Sequence, residues 1–295
     1  NHVMVISFVY CLTATHIRNS GNPGFCKGKG YLRILCHRNR QRLIVCDIDG
    51  TLLQGDEKTI SPEIFRQIGR LARQGIVFAP ASGRQYSSLR RLFTPAAGRL
   101  YYLCENGGAV FGPGDLGPLL ASVPMERSAA LALCRDILAR QDCEVLISGA
   151  NTSYLCPKEP DIIDHIRFFV GNNTAVLPRP EDVPEEILKV SAWCKNGTAE
   201  PEADLVPRWG GTFHAAVAGA KWLDFGLADK GDGLRALCAA LSISPAEAMA
   251  FGDNWNDVPM LTLAGMPYLM EGASPALKER FPRRCRRVED VLCTL

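Results

Sequence analysis

From Arg42 onward the chain alternates short apolar runs with stretches whose apolar residues recur every three or four positions. Residues 43–46 form an apolar run that ends on acidic residues, the pattern of a buried parallel strand. Ser61-Pro62 opens a helix, with Ser as N-cap and Pro at the first helical position. Ile64, Phe65, Ile68, Leu71 and Ala72 follow at helical spacing, and Gly75 stops it. The pattern then predicts a strand at 76–79, a helix at 85–93 and a strand at 100–104. The same theme returns late, with helices at 231–241, 257–263 and 275–281 and strands at 248–251 and 267–270. Between them Ser244-Pro245-Ala246-Glu247 is a capping box that introduces a short turn. Strands alternating with helices imply a parallel sheet covered on both faces.

The middle of the chain breaks this rhythm. It opens at Gly112-Pro113-Gly114 and closes at Gly219. It predicts helices at 127–140 and 160–170 and strands at 143–147, 187–193 and 212–217. The predicted organisation is therefore α/β. A Rossmann-like three-layer core at 41–114 and 219–295 holds an inserted α+β module at 115–218. The tail after Phe281 is short and Arg-rich, so the last strand and helix of the core are expected to be trimmed.

Residues 1–40 read differently. They hold six basic and no acidic residues, and 19–30 is rich in glycine. The apolar stretch 3–14 has the length of a signal-peptide core but lacks its flanks. It is too short to span a bilayer, and no later stretch is longer, so no membrane span is expected. The segment is read as an extension without a functional role, with a weak likeness to an organellar presequence. After position 40 the chain carries 27 basic against 31 acidic residues, which argues against a nucleic-acid partner. The twelve cysteines form no C-x-x-C pair. Cys46 and Cys104 fall in apolar strands, which points to a reduced, cytoplasmic protein despite sequons at Asn151, Asn172 and Asn196.

The chemistry concentrates at Asp47-Ile48-Asp49-Gly50-Thr51, directly after the first strand. Two carboxylates two residues apart would lie at the C-terminal edge of the sheet, where open α/β sheets bind ligands. Such a pair repels and wants a cation or a shared proton.

This segment resembles the signature of the haloacid dehalogenase (HAD) superfamily of phosphohydrolases, and the superfamily's other motifs follow in order. Ser82-Gly83-Arg84 follows the second strand, and Lys230 stands at a helix start. Gly252-Asp253-Asn254-Trp255-Asn256-Asp257 matches the last motif, and Glu105-Asn106-Gly107-Gly108 is similar to a segment of the Cof-type subfamily. The insertion between Arg84 and Lys230 sits where that subfamily carries a C2-type cap. The resemblance implies an Mg²⁺-dependent phosphatase of a small phosphorylated metabolite, such as a sugar phosphate, working as a monomer or homodimer. It implies Asp47 as nucleophile and Asp49 as acid and base. Ser82, Gly83, Arg84, Lys230 and Asn256 would contact phosphate or substrate. The metal would lie among Asp47, Asp49 (through its carbonyl), Asp253 and Asp257. A phosphomutase on the same fold and a non-catalytic phosphometabolite-binding protein are the alternatives. His165, Arg208, Trp209 and His214 of the cap are candidates for reading the leaving group, and Trp255 is expected to pack on the core.

Overall fold

The computed structural model describes residues 41–218 and 220–295. The expected extension at 1–40 and the Gly219 end of the insertion lie outside the described residues. The chain opens with β1 (Leu43–Asp47), α1 (Pro62–Arg73), β2 (Val77–Ala81), α2 (Tyr86–Leu92) and β3 (Tyr102–Cys104). Two further strands, β4 (Ala109–Phe111) and β5 (Leu119–Ser122), follow.

The insertion comprises α3 (Arg127–Ala139), β6 (Cys143–Ser148), β7 (Ser153–Leu155) and α4 (Asp161–Asp164), which continues as a π-helix (His165–Val170). Then come β8 (Thr174–Val176), β9 (Lys189–Cys194), α5 (Ala199–Trp209), β10 (His214–Val217) and β11 (Trp222–Gly226). The chain returns through α6 (Lys230–Leu241), β12 (Ala248–Gly252), α7 (Val258–Leu263) and β13 (Met266–Met270). It closes with α8 (Pro275–Arg280), β14 (Arg284–Cys285) and α9 (Val288–Leu292).

The first sheet has the order β14-β13-β12-β1-β2-β3-β4-β5, parallel up to β3 and antiparallel for β4 and β5. β1 lies at its centre and is buried on both faces. Its alternation builds the three layers. Ile44 and Cys46 pack with Ile64, Ile68 and Leu71 of α1, while Leu43 and Val45 pack with Leu234 and Leu237 of α6. Each such buried aliphatic side chain contributes roughly 1.5–3 kcal/mol. Cys46 behaves as a small apolar residue, its thiol pushed well up by burial and by the neighbouring Asp47. The second sheet, β10-β11-β9-β6-β7-β8, is antiparallel except for β7 and β8 and encloses its own apolar core. The fold is thus α/β, with an inserted α+β cap.

Three expectations change. β5 pairs with β4, so the chain leaves the first sheet after Ser122 rather than at 115. It returns after β11, beyond the expected 218, because β11 pairs with β9 of the cap. The tail is not trimmed: β14 pairs with β13, and Val288 and Leu292 of α9 complete the α1 layer.

The turn after β3 carries three consecutive residues at positive φ, Glu105 (52°), Asn106 (54°) and Gly107 (96°). A Cβ on Gly107 would stand 2.1 Å from the Asp229 carbonyl oxygen. Gly107→Ala is expected to lower stability by at least the roughly 1–3 kcal/mol of a strained backbone residue. Gly69→Ala, in open space inside α1, should raise it by about 0.5–1 kcal/mol. Urea midpoints of the two variants, moving in opposite directions, check both.

Candidate active site

β1, β2 and β12 end side by side, with Asp47 opposite Ala81 and Cys46 opposite Phe251. This register brings Asp47, Ser82 and Asp253 to one edge. Asp47 falls on the α6 side of the sheet, the side of Leu43 and Val45. There it meets Lys230, the first residue of α6. Asp229 caps that helix: its Oδ1 accepts from the N–H of Gly231 (2.7 Å) and of Asp232 (2.9 Å). The cap fixes where Lys230 enters the site.

Lys230 is fully buried. Its Nζ donates to Asp47 Oδ1 and to Asp257 Oδ1, both at 2.5 Å. Burial alone would favour neutral lysine, but the carboxylates of Asp257 and Asp47 overcome it and hold the ammonium charged. Asp257 is spent on structure, because its Oδ2 accepts from the N–H of Asp253 (2.9 Å) and of Asn254 (3.0 Å). Thr51 Oγ1 donates to Asp253 Oδ1 at 3.1 Å. Burial and then the charge of Asp257 push Asp253 up to about 6 and also raise Asp47. Gly50 (φ 96°) lets the loop pass over Asp253, whose Oδ2 would lie 2.2 Å from any added Cβ.

The acidic group fits a divalent cation. Oxygens of Asp47, Asp253 and Asp257 come within 4.8 Å of one another. Three carboxylates face a single ammonium, and Asp47 Oδ2 is buried with no hydrogen-bond partner. An all-oxygen donor set of this kind suits Mg²⁺.

A cavity of about 550 Å³ opens over this edge, between the two sheets. Asp47, Asp49, Ser82, Gly83, Arg84 and Asn256 line it, while Lys230 and Asp257 lie buried behind. Arg84 grips Asp49 through two hydrogen bonds, Nε to Oδ2 (2.9 Å) and NH2 to Oδ1 (2.6 Å). Asn256 Nδ2 donates to Asn106 Oδ1 at 3.4 Å. Of the cap candidates, His165 lines the cavity. Arg208 and Trp209 instead both donate to Asp136 Oδ2 at 2.9 Å, and His214 is exposed on β10. Trp255 does not pack on the core. It is 52% exposed, with the Arg280 guanidinium 6.0 Å from its ring centre.

Among the cavity residues that the motifs did not mark are Lys189, Asp224 and Ser191. Lys189 Nζ lies 2.7 Å from Glu105 Oε2 and 3.2 Å from Asp224 Oδ2, and Ser191 Oγ donates to Asp224 Oδ1 at 2.7 Å. Their signal was present as a lone charge within an apolar strand, Lys189 in β9 and Asp224 in β11. Burial pushes the Glu105 carboxyl up, with Lys189 opposing.

A family model described as haloacid dehalogenase-like hydrolase matches residues 44–289. The chain belongs to that family. It is 27% identical over 247 residues to the 5-amino-6-(5-phospho-D-ribitylamino)uracil phosphatase YbjI of Escherichia coli, covering 80% of this chain and 87% of that one. It is 24% identical over 261 residues to the HMP-PP phosphatase of Yersinia pseudotuberculosis, covering 82% and 88%. A crystal structure from Eubacterium rectale superposes with a TM-score of 0.76 at 27% identity, covering 86% of this chain and 98% of that one.

Lys230→Met would leave Asp47 and Asp257 buried without their counter-charge. We expect a loss of roughly 3–5 kcal/mol in metal-free buffer, read from urea unfolding. Unchanged stability would mean that the lysine does not carry the carboxylates.

Proposed function

We propose that this HAD-family chain is a phosphoric monoester hydrolase acting on a small phosphorylated metabolite. The supporting observation is the pairing of two carboxylates with different surroundings on one cavity wall. Asp47 is buried against Lys230, and Asp49 sits at the rim, gripped by Arg84. The named relatives are phosphatases, which supports the same reading.

In this reading an Asp47 carboxylate oxygen attacks phosphorus, a P–O bond to the leaving alcohol breaks, and an aspartyl-phosphate forms. Asp49 donates its proton to the departing oxygen. It then takes a proton from a water whose oxygen attacks phosphorus. That second displacement releases inorganic phosphate and restores the Asp47 carboxylate. Lys230 holds Asp47 in line and offsets its charge. Ser82 and the Gly83 N–H bind phosphate oxygens, Asn256 donates from the opposite loop, and Arg84 fixes the Asp49 side chain. Asp47, Asp253 and the Asp49 carbonyl would hold Mg²⁺, with Asp257 orienting Lys230 and the Asp253 loop. When bound, the cation would screen the repulsion between the carboxylate and an anionic phosphate. The cap covers the cavity and limits water access. No helix among the described residues is long and apolar enough to cross a membrane. The nine described cysteines are free and eight are buried, which supports a cytoplasmic location.

Phosphate release from an aryl phosphate and from a panel of phosphorylated metabolites tests the reading. Turnover should require Mg²⁺, stop with EDTA and vanish in Asp47→Asn. Asp49→Asn should cost about 10²–10⁴-fold in kcat. Metal-independent turnover, or full activity in Asp47→Asn, contradicts it.

A further inference from the structure

The ion cluster between cap and core reaches the phosphate loop through its backbone. Lys189 projects from the first residue of β9, at the end of the cap sheet that faces the core. Its ammonium is almost fully buried between Glu105 of the core and Asp224 of the cap. The third contact of Nζ is the carbonyl oxygen of Gly83, at 2.7 Å. Gly83 lies in the loop after β2, 106 positions away in sequence.

A trans peptide carries its C=O and N–H on opposite sides. Holding the Gly83 carbonyl toward Lys189 therefore turns the next N–H, that of Arg84, the other way. That N–H donates to Ser82 Oγ at 3.2 Å. That contact restrains the Ser82 Oγ, which lines the cavity, and leaves its own proton free to be donated. The preceding peptide is pinned from the same cluster. The Asn106 N–H donates to the Ser82 carbonyl at 3.0 Å, which leaves the Gly83 N–H on the opposite side. Asn106 in turn donates from Nδ2 to Asp224 Oδ2 at 3.3 Å and accepts from Asn256 at 3.4 Å.

Stability does not account for this arrangement. Taking an ammonium and two carboxylates out of water costs several kcal/mol per ion, and apolar side chains of similar volume hold such places as well or better. What apolar side chains cannot do is fix a carbonyl. We propose that Lys189 is a positioning residue for the phosphate loop. Through it the inserted cap, rather than the core alone, sets the aim of Ser82 and of the Gly83 N–H. The role rests on the phosphatase reading for its consequence in catalysis, but the loop geometry stands apart from turnover.

The test uses the full chain with Lys189→Met. Because that change strands two buried carboxylates, Lys189→Met with Glu105→Gln serves as the second variant. Amide hydrogen exchange at residues 82–85 reads the loop directly. We expect faster exchange at Arg84 in both variants, with β1 and β12 keeping their protection. Misaimed donors should lower kcat/KM by about 10²-fold. The factor should be the same for an aryl phosphate and for a larger phosphomonoester, and competitive inhibition by inorganic phosphate should weaken. Unchanged exchange at Arg84 overturns the proposal. So does a folded double variant of full activity, or a loss confined to the larger substrate with phosphate inhibition intact. A wild-type protein that releases no phosphate would overturn the phosphatase reading alone, since exchange at Arg84 still decides what Lys189 holds.

Discussion

Everything at the edge of the first sheet is arranged around one buried ammonium. Lys230 lies between Asp47 at the end of β1 and Asp257 before α7, at 2.5 Å from each. These residues come from three separate parts of the chain, so the contact exists only when β1, β12 and α6 are packed together. The central position of β1 supports that packing, because its two faces belong to the two apolar layers. A buried trio of two carboxylates and one lysine is costly to assemble and becomes more so when Asp253 is added. The excess negative charge creates the demand for a cation that the all-oxygen donor set can meet.

The cap closes the same site from the other side by a similar device. Its sheet presents Lys189, at the start of β9, and Asp224, within β11, and these meet Glu105, Asn106 and Gly83 of the core. Both ion clusters use a lysine to hold carboxylates, and both act on a neighbouring loop through backbone groups. Asp257 accepts the N–H groups of the Asp253 loop, and Lys189 donates to the carbonyl of the Ser82 loop. The strained turn at 105–107 lies between the two, where backbone strain commonly marks a site held by its surroundings.

Much of the core was legible because its strands are buried on both faces and its helices carry caps. Ser61 and Ser244 each cap the element they precede, whereas the Asp229 cap of α6 went unread. What escaped was short or lacked a period. β4, β7 and β8 have three residues each, fewer than a period-2 pattern needs. β5 has four residues with Leu119 and Leu120 side by side, so it shows no apolar-polar alternation. α5 carries Pro207 within it, and the two-residue β14 lies among arginines. At the site, Asp47 and Asp49 stood out as a carboxylate pair directly after a recognisable strand, and the resemblance to the HAD superfamily added Ser82 and Asp253. Lys189 and Asp224 could not, since a single charge in an apolar strand gains meaning only once its partner from the other sheet is known.

In the proposed reaction Asp47 carries the phosphoryl group between the two displacements. Rapid acid quenching during steady-state turnover, followed by peptide mass analysis, tests it most directly. An acid-stable, base-labile phosphoryl group is expected on the peptide containing Asp47 and none in Asp47→Asn. Turnover with no modified peptide, or with the phosphoryl group on another residue, would contradict it.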